Sequence, residues 1–236
     1  HQPTSGHILI DQKPVNFKSP LDAIKQGIGM VHQHFMLIQP FTALENIILG
    51  DETTRFFGTL DIGHAKQKIL DLSIKYGMHV DPMMKIEEMT VGMQQRVELL
   101  KLLYRKAQII ILDEPTAVLT PQEIKDFEDI VRHLKKEGKT IIIITHKLKE
   151  IKEIADRCTI IRKGQFIETV QVNEVSELDL AEKMVGRSVN LSVKKENINR
   201  GDLILKIENL VVHNSRKLPV IKGLNLDLYR GEILGL

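Results

Sequence analysis

The stretch Ile109-Ile110-Ile111-Leu112-Asp113-Glu114-Pro115-Thr116 decides how this chain is organised, because four apolar residues lead directly into two carboxylates. Such a run predicts a fully buried strand of a parallel sheet. Open α/β sheets bind ligands beyond the carboxyl ends of their strands, so Asp113 and Glu114 are expected to face a ligand. Asp113 suits Mg²⁺, which prefers oxygen ligands, and Glu114 suits the orientation or deprotonation of an attacking water. The pattern is typical of a nucleotide hydrolase, although a plain polar exit from a strand also fits it.

Two further polar residues follow predicted strands. The apolar run at residues 28–31 ends close to Gln33, and the run at 140–145, rich in β-branched residues, ends at His146. Between the carboxylates and His146, residues 121–136 have apolar positions at helical spacing, with Thr120 as the predicted N-cap. Strand, helix and strand in this order predict a parallel α/β layer.

The remaining patterns predict a helical insertion and a second unit. Residues 42–105 are interpreted as a helical subdomain between two sheet strands, and polar residues 187–201 are interpreted as a linker region. The predicted domains are residues 1–190, a linker at 191–202, and an antiparallel unit at 203–236. Further predicted elements are helices at 22–25, 43–49, 62–76, 94–104, 147–155 and 178–185, and strands at 7–10, 156–162, 165–172 and 203–212.

Composition excludes several classes of protein. With 33 basic and 31 acidic residues, the net charge of +2 gives no basis for binding nucleic acid or membranes through bulk charge. The single cysteine, Cys158, cannot form an internal disulfide. No window has the roughly 18 to 20 consecutive apolar residues of a membrane-spanning helix. The sequence begins without methionine and ends within a predicted strand, so we expect it to be a fragment.

A nucleoside triphosphatase of this layout needs a glycine-rich loop followed by Lys and Ser or Thr, which holds the phosphates. Gly138-Lys139-Thr140 resembles the end of that motif, but His133 stands where its first glycine belongs. The tripeptide also leads from a helix into a strand, which is the reverse of the required order. We interpret it as the end of a helix, and expect both the phosphate loop and independent activity to be missing from these residues.

Four motifs in order and spacing resemble those of the ATP-binding cassette (ABC) family. Residues 89–96 resemble its signature loop, residues 109–114 its Mg-binding strand and catalytic glutamate, His146 its switch histidine, and Gln33 its Q-loop glutamine. Three strings more narrowly resemble the two-cassette ATPase subunits of bacterial sugar and nucleoside importers: residues 31–37, 117–123 and 184–187. The resemblance implies an α/β P-loop NTPase fold with a RecA-like parallel sheet, a helical subdomain and antiparallel strands, here truncated.

The resemblance also implies roles for individual residues. Asp113 would hold Mg²⁺ through water, Glu114 would be the general base, and His146 would contact the γ-phosphate of ATP. Gln33 would act in catalysis and sense Mg²⁺. The nucleotide-binding set would comprise Thr90, Gly92, Gln94 and Thr120, with the signature residues contacting ATP on an opposing cassette.

The signature departs from the usual Leu-Ser-Gly-Gly-Gln of the family. Thr90, Val91 and Met93 replace its serine, first glycine and glutamine, and Thr120 stands where an aspartate is usual. Whether this composite site hydrolyses ATP or only binds it stays open at this point.

The function implied by the resemblance is a transport ATPase, peripheral at the cytoplasmic face of the cell membrane. Its partners would be transmembrane permease subunits, a second ABC cassette and, indirectly, an extracytoplasmic substrate-binding protein, with no nucleic acid. One alternative is a non-transport tandem cassette protein that acts on ribosomes or nucleic acid, which the short linker of mixed charge disfavours. The other is a folded fragment that is inactive on its own.

Overall fold

The computed structural model describes residues 3–52, 59–188, 201–214 and 218–235. The chain divides into two compact units, His1–Val189 and Asn190–Leu236. The helices of the first unit are α1 Pro20–Lys25, α2 Ala43–Ile48, α3 Ile62–Lys75, α4 Val91–Tyr104, α5 Pro121–Lys136, α6 Leu148–Ile154 and α7 Glu177–Val185. Its strands are β1 Ile8–Ile10, β2 Lys13–Val15, β3 Ile28–Val31, β4 Ile109–Asp113, β5 Thr140–Ile144, β6 Arg157–Arg162 and β7 Gln165–Gln171.

The centre of the first unit is a three-stranded parallel sheet in the order β3-β4-β5. Val31 pairs with Leu112, Leu112 pairs with Ile143, and Asp113 pairs with Ile144. All three strands therefore end at the same edge. The predicted parallel α/β layer is confirmed.

The two faces of this sheet differ in burial. Val31, Ile110 and Leu112 are at most 1% exposed and belong to a core that includes residues of α4 and α5. On the opposite face, Ile142 and Ile144 are each 49% exposed. The prediction of fully buried strands is therefore wrong for β5 and holds for only one face of β4, because the helices described here cover one side of the sheet.

Helix starts follow the capping residues. Thr120 accepts a hydrogen bond from the N–H of Glu123, whose carboxylate in turn accepts the Thr120 N–H, and Pro121 occupies the first helical position. Helix α4 begins at Val91, three residues before the predicted start, because Thr90 caps it. Apolar periodicity alone could not place that start, since the first turn contains Gly92.

Two hairpins flank the sheet in sequence. β6 and β7 pair antiparallel around Lys163 and Gly164, both of which have positive φ, as predicted for this turn. The pairing of β1 with β2 was not predicted; it turns at Asp11 and Gln12, whose φ values are 47° and 62°. Sequence reasoning missed that turn because neither residue is a glycine.

The second unit contains one antiparallel hairpin, β8 Leu203–His213 and β9 Pro219–Tyr229. Most of the predicted linker, residues 191–200, lies outside the described residues. Within the described ranges, no helix has both the length and the apolar character needed to cross a membrane.

The contact between β3 and α4 generates a stability prediction. A Cβ at position 29 would lie 2.8 Å from Leu102 Cδ2 and 3.2 Å from the Cβ of Ala107. Gly29→Ala should therefore lower the free energy of unfolding by about 1–3 kcal/mol through overpacking. Gly63→Ala is the matched control, because its added Cβ would lie 3.8 Å from the nearest atom, a carboxylate oxygen. Denaturant titration would contradict the packing argument if both variants unfolded at the same midpoint.

Candidate functional site

Three side chains that follow the three parallel strands meet at the carboxyl edge of the sheet. Gln33 Nε2 donates to Glu114 Oε2 at 3.2 Å, and His146 Nδ1 lies 3.1 Å from Glu114 Oε1. The Glu114 side chain is 31% exposed and that of His146 is 67% exposed. The structure thus brings together the residues predicted as catalytic, with a partly exposed carboxylate at their centre.

The backbone at Glu114 is in the left-handed region, with φ of 43°. This conformation is uncommon for a residue other than glycine and is enriched at functional sites. The Glu114 N–H donates to the carbonyl of Ile144 at 2.8 Å, which extends the β4–β5 ladder by one bond beyond the strand. The ladder therefore holds the backbone while the chain turns and directs the carboxylate toward Gln33 and His146.

Asp113 is the last residue of β4 and lies on the more exposed face of the sheet, beside Ile144. Mg²⁺ is commonly held by one or two carboxylates together with waters and substrate phosphates. The carboxylate of Asp113 and the amide oxygen of Gln33 match that donor chemistry. No group of three or more His, Cys, Asp or Glu side chains among the described residues forms a metal cage.

Thr90 and Gly92 lie at the N-terminus of α4, where the Thr90 hydroxyl accepts the Met93 N–H at 3.3 Å. Glu123 of α5 packs directly on this turn, because a Cβ at position 92 would lie 2.5 Å from its Oε1. The N–H and hydroxyl of Thr120, the N–H of Gly92 and the Thr90 side chain hold the pKa of Glu123 below its usual range. One carboxylate therefore bridges the N-termini of α4 and α5.

The other two residues predicted to bind nucleotide have hydrogen bonds within the protein. The Gln94 amide donates to the carbonyls of Ile86 and Met89 at 3.4 and 3.3 Å. The Thr120 hydroxyl donates to Glu123 Oε2 at 2.9 Å as part of the α5 capping box. Glu123 thus connects Thr120 with Thr90 and Gly92, whereas Gln94 faces the backbone that precedes α4.

Sequence reasoning missed the buried polar residues that support this site. Gln95 donates to the carbonyl of Pro115 at 2.7 Å, and Glu98 accepts the N–H of Met36 at 2.8 Å. Their exposures are only 2% and 3%. Both lie on α4 three residues apart, among the apolar positions of the helix. Spacing alone does not reveal their burial, because buried residues lie on several faces of α4.

Comparison with known proteins finds relatives over nearly the whole length of this chain. The family model described as ABC transporter matches residues 1–117. The nucleoside import ATP-binding protein NupA of Lactococcus lactis is 50% identical over 234 residues, which are 99% of this chain and 46% of that protein. Residues 1–117 belong to the ABC transporter family. The guanosine import ATP-binding protein NupO of Bacillus subtilis is 48% identical over 100% of this chain and 46% of its own length.

Comparison with solved structures identifies the fold. The ATP-binding cassette MJ1267 of an ABC transporter, in its ADP conformation, matches with a TM-score of 0.67 over 79% of either chain. At 22% identity this likeness shows the cassette fold alone. The chain spans about half the length of the curated relatives it matches.

The packing of Gly92 on Glu123 predicts a coupled pair. Gly92→Ala should destabilise the protein by about 1–2 kcal/mol, since the added methyl displaces a capping carboxylate. In a Glu123→Ala background the same change should be neutral or slightly stabilising, because alanine favours a helix more than glycine does. A double-mutant cycle of unfolding free energies measures this coupling, and additive effects would contradict it.

The lowered pKa of Glu123 predicts a pH dependence. The folded-state pKa lies below the unfolded value of about 4.3, so the ionised carboxylate stabilises the protein above that pH. Its contribution is lost as pH falls through the folded-state pKa. Glu123→Gln should cost about 0.3–1 kcal/mol at neutral pH, and the difference should shrink below about pH 4. Urea titrations across this range check the result, with exposed Glu174→Gln as the control that should change little at any pH.

Proposed function

We propose that this chain is part of the ATP-binding and ATP-hydrolysing component of an importer for nucleosides or simple sugars. The observation that carries the proposal is the convergence of Gln33 and His146 on the Glu114 carboxylate, at the edge where parallel α/β sheets bind ligands. The names of the two relatives, both import ATP-binding proteins for nucleosides, support the choice of substrate class.

In this proposal Glu114 is the general base that takes a proton from the water attacking the γ-phosphate of ATP. His146 adds a donor beside the charge that develops in the transition state. Asp113 and Gln33 would hold Mg²⁺, which supplies charge neutralisation at the phosphates when it is bound. In this proposal the strand register of the chain positions these groups, because all of them lie at one edge of the sheet.

Thr90 and Gly92 would bind a phosphate of ATP held by an opposing cassette. The helix dipole favours an anion at the start of α4, where the Gly92 N–H and the Thr90 side chain contact the Glu123 carboxylate, so a phosphate would take the place of that carboxylate. Gln94 and Thr120 complete the proposed nucleotide-binding set. Their hydrogen bonds to the backbone before α4 and to Glu123 support a role in shaping that surface.

The proposed organisation assigns residues 1–190 to a first cassette, with the helical subdomain at about 42–105. Residues 191–202 link it to the opening strands of a second cassette at 203–236. The compact units His1–Val189 and Asn190–Leu236 support this division. No stretch of the sequence matches the glycine-rich phosphate loop. The chain would lie at the cytoplasmic face of the membrane, with transmembrane permease subunits as direct partners and an extracytoplasmic substrate-binding protein as an indirect one.

The test of this function is ATP hydrolysis by the natural gene product that carries this sequence. Glu114→Gln should lower kcat by about 10²-fold or more, as expected for loss of a general base, while Mg-ATP binding is retained. Calorimetric titration measures the binding separately from turnover. Glu177→Gln, an exposed change of the same type on α7, is the matched control and should retain full activity. Equal turnover by the wild type and Glu114→Gln would overturn the assignment of the base.

A further inference from the structure

Glu150 of α6 is a buried carboxylate between the loops that carry Glu114 and His146. The residue is 5% exposed. Its Oε1 accepts the hydroxyl of Thr116, and its Oε2 accepts the hydroxyl of Thr145 at 3.0 Å. Thr116 follows Glu114 by two residues, and Thr145 directly precedes His146. One carboxylate therefore joins the two loops beside the proposed reaction centre.

Lys147 completes this network. Its ammonium lies 3.3 Å from Glu150 Oε1 and donates to the carbonyl of Thr116 at 2.8 Å. Its backbone N–H donates to the Thr145 hydroxyl at 3.0 Å. A buried carboxylate is costly unless it is paired and hydrogen-bonded. Here both carboxylate oxygens have partners, and the residues on either side of His146 are held by the same network.

Apolar contacts also anchor α6. Ile151 is 7% exposed and packs in an apolar cluster with Ile160 and Leu180, which Leu148 joins from the rim. Buried ion pairs generally contribute little net stability compared with well-packed apolar residues. The hydrogen bonds of Glu150 instead restrain the positions of the two neighbouring loops, one bond for each loop.

We propose that Glu150 is a positioning residue that holds His146 against Glu114. The proposal rests on the proposed ATPase function and goes beyond it, because Glu150 contacts neither of those side chains. Its two hydrogen bonds fix the separation of the loops and so maintain the 3.1 Å contact between His146 Nδ1 and Glu114 Oε1. A displacement of about 1 Å in such a site costs on the order of 10²-fold in rate.

The first test separates kcat from KM in the natural gene product. Glu150→Ala should lower kcat for ATP hydrolysis by about 10- to 100-fold and change KM by less than about threefold, because a displaced His146 loses its effect on the charge that develops in the transition state more than its effect on substrate binding. Glu150→Gln should recover part of the loss, since an amide can hydrogen-bond both hydroxyls. If Glu150→Ala does not fold, Thr145→Val removes one of the two contacts and should lower kcat in the same direction.

Ser73→Ala is the matched control for a buried hydrogen bond. Ser73 is 3% exposed and accepts the Val80 N–H at 3.1 Å in the helical region. Its loss should lower the free energy of unfolding and leave kcat unchanged. A kcat for Ser73→Ala as low as that for Glu150→Ala would overturn the proposal, because general destabilisation would then explain both effects.

Amide hydrogen exchange tests the positioning without requiring activity. The Glu114 N–H donates to the Ile144 carbonyl at 2.8 Å, and this bond joins the start of the Glu114 loop to the end of β5. When the two variants are compared at equal free energy of unfolding, the exchange rate of this amide should be about tenfold higher in Glu150→Ala than in Ser73→Ala. If the wild type hydrolyses no ATP, the proposed function fails and the exchange result still decides the positioning role. Unchanged exchange in Glu150→Ala would overturn that role.

Discussion

The parallel pairing of β4 with both β3 and β5 is the constraint on which the rest of the first unit depends. It aligns Val31, Leu112 and Ile143, so that the chain leaves all three strands at one edge. A shift of β4 by one residue would turn Leu112 to the exposed face and direct the Asp113 carboxylate into the core. Exposing Leu112 and burying a carboxylate would both raise the free energy of the folded state, and this penalty fixes the register. The same apolar contacts that stabilise the sheet therefore determine which polar side chains can meet beyond it.

Helix α4 connects the two groups of candidate residues. Near its start lie Thr90 and Gly92, and one turn later Gln95 holds the carbonyl of the residue that follows Glu114. Glu98, three residues further on, holds the loop that follows Gln33. Because Gln95 and Glu98 are fully buried on a helix packed against the sheet, they cannot adjust independently of it. A displacement of α4 would move the supports of both loops together.

The sequence predicts the strand ends well because their signal is local. Apolar runs followed by Glu114 and His146 identify both the strands and the polar residues that leave them. Burial of polar residues on helices is different: Glu98 and Glu150 belong to helices whose charged positions are ordinarily assigned to solvent. Their environment depends on which loops pack on them, which is set by tertiary contacts. The exposure of Ile142 was missed for the same reason, because an apolar strand does not specify which of its faces is covered.

The hydrogen bonds to Glu114 orient its carboxylate without occupying all of its acceptor sites. An ionised carboxylate has about four lone-pair sites, and Gln33 and His146 use one on each oxygen. The remaining sites are available to a water or to the ligand sphere of a metal. Since the backbone at Glu114 is held by the carbonyl of Ile144, rotation of the side chain is the main freedom left to it. The two neighbours therefore hold the carboxylate in place and leave acceptor sites for the water of the proposed mechanism.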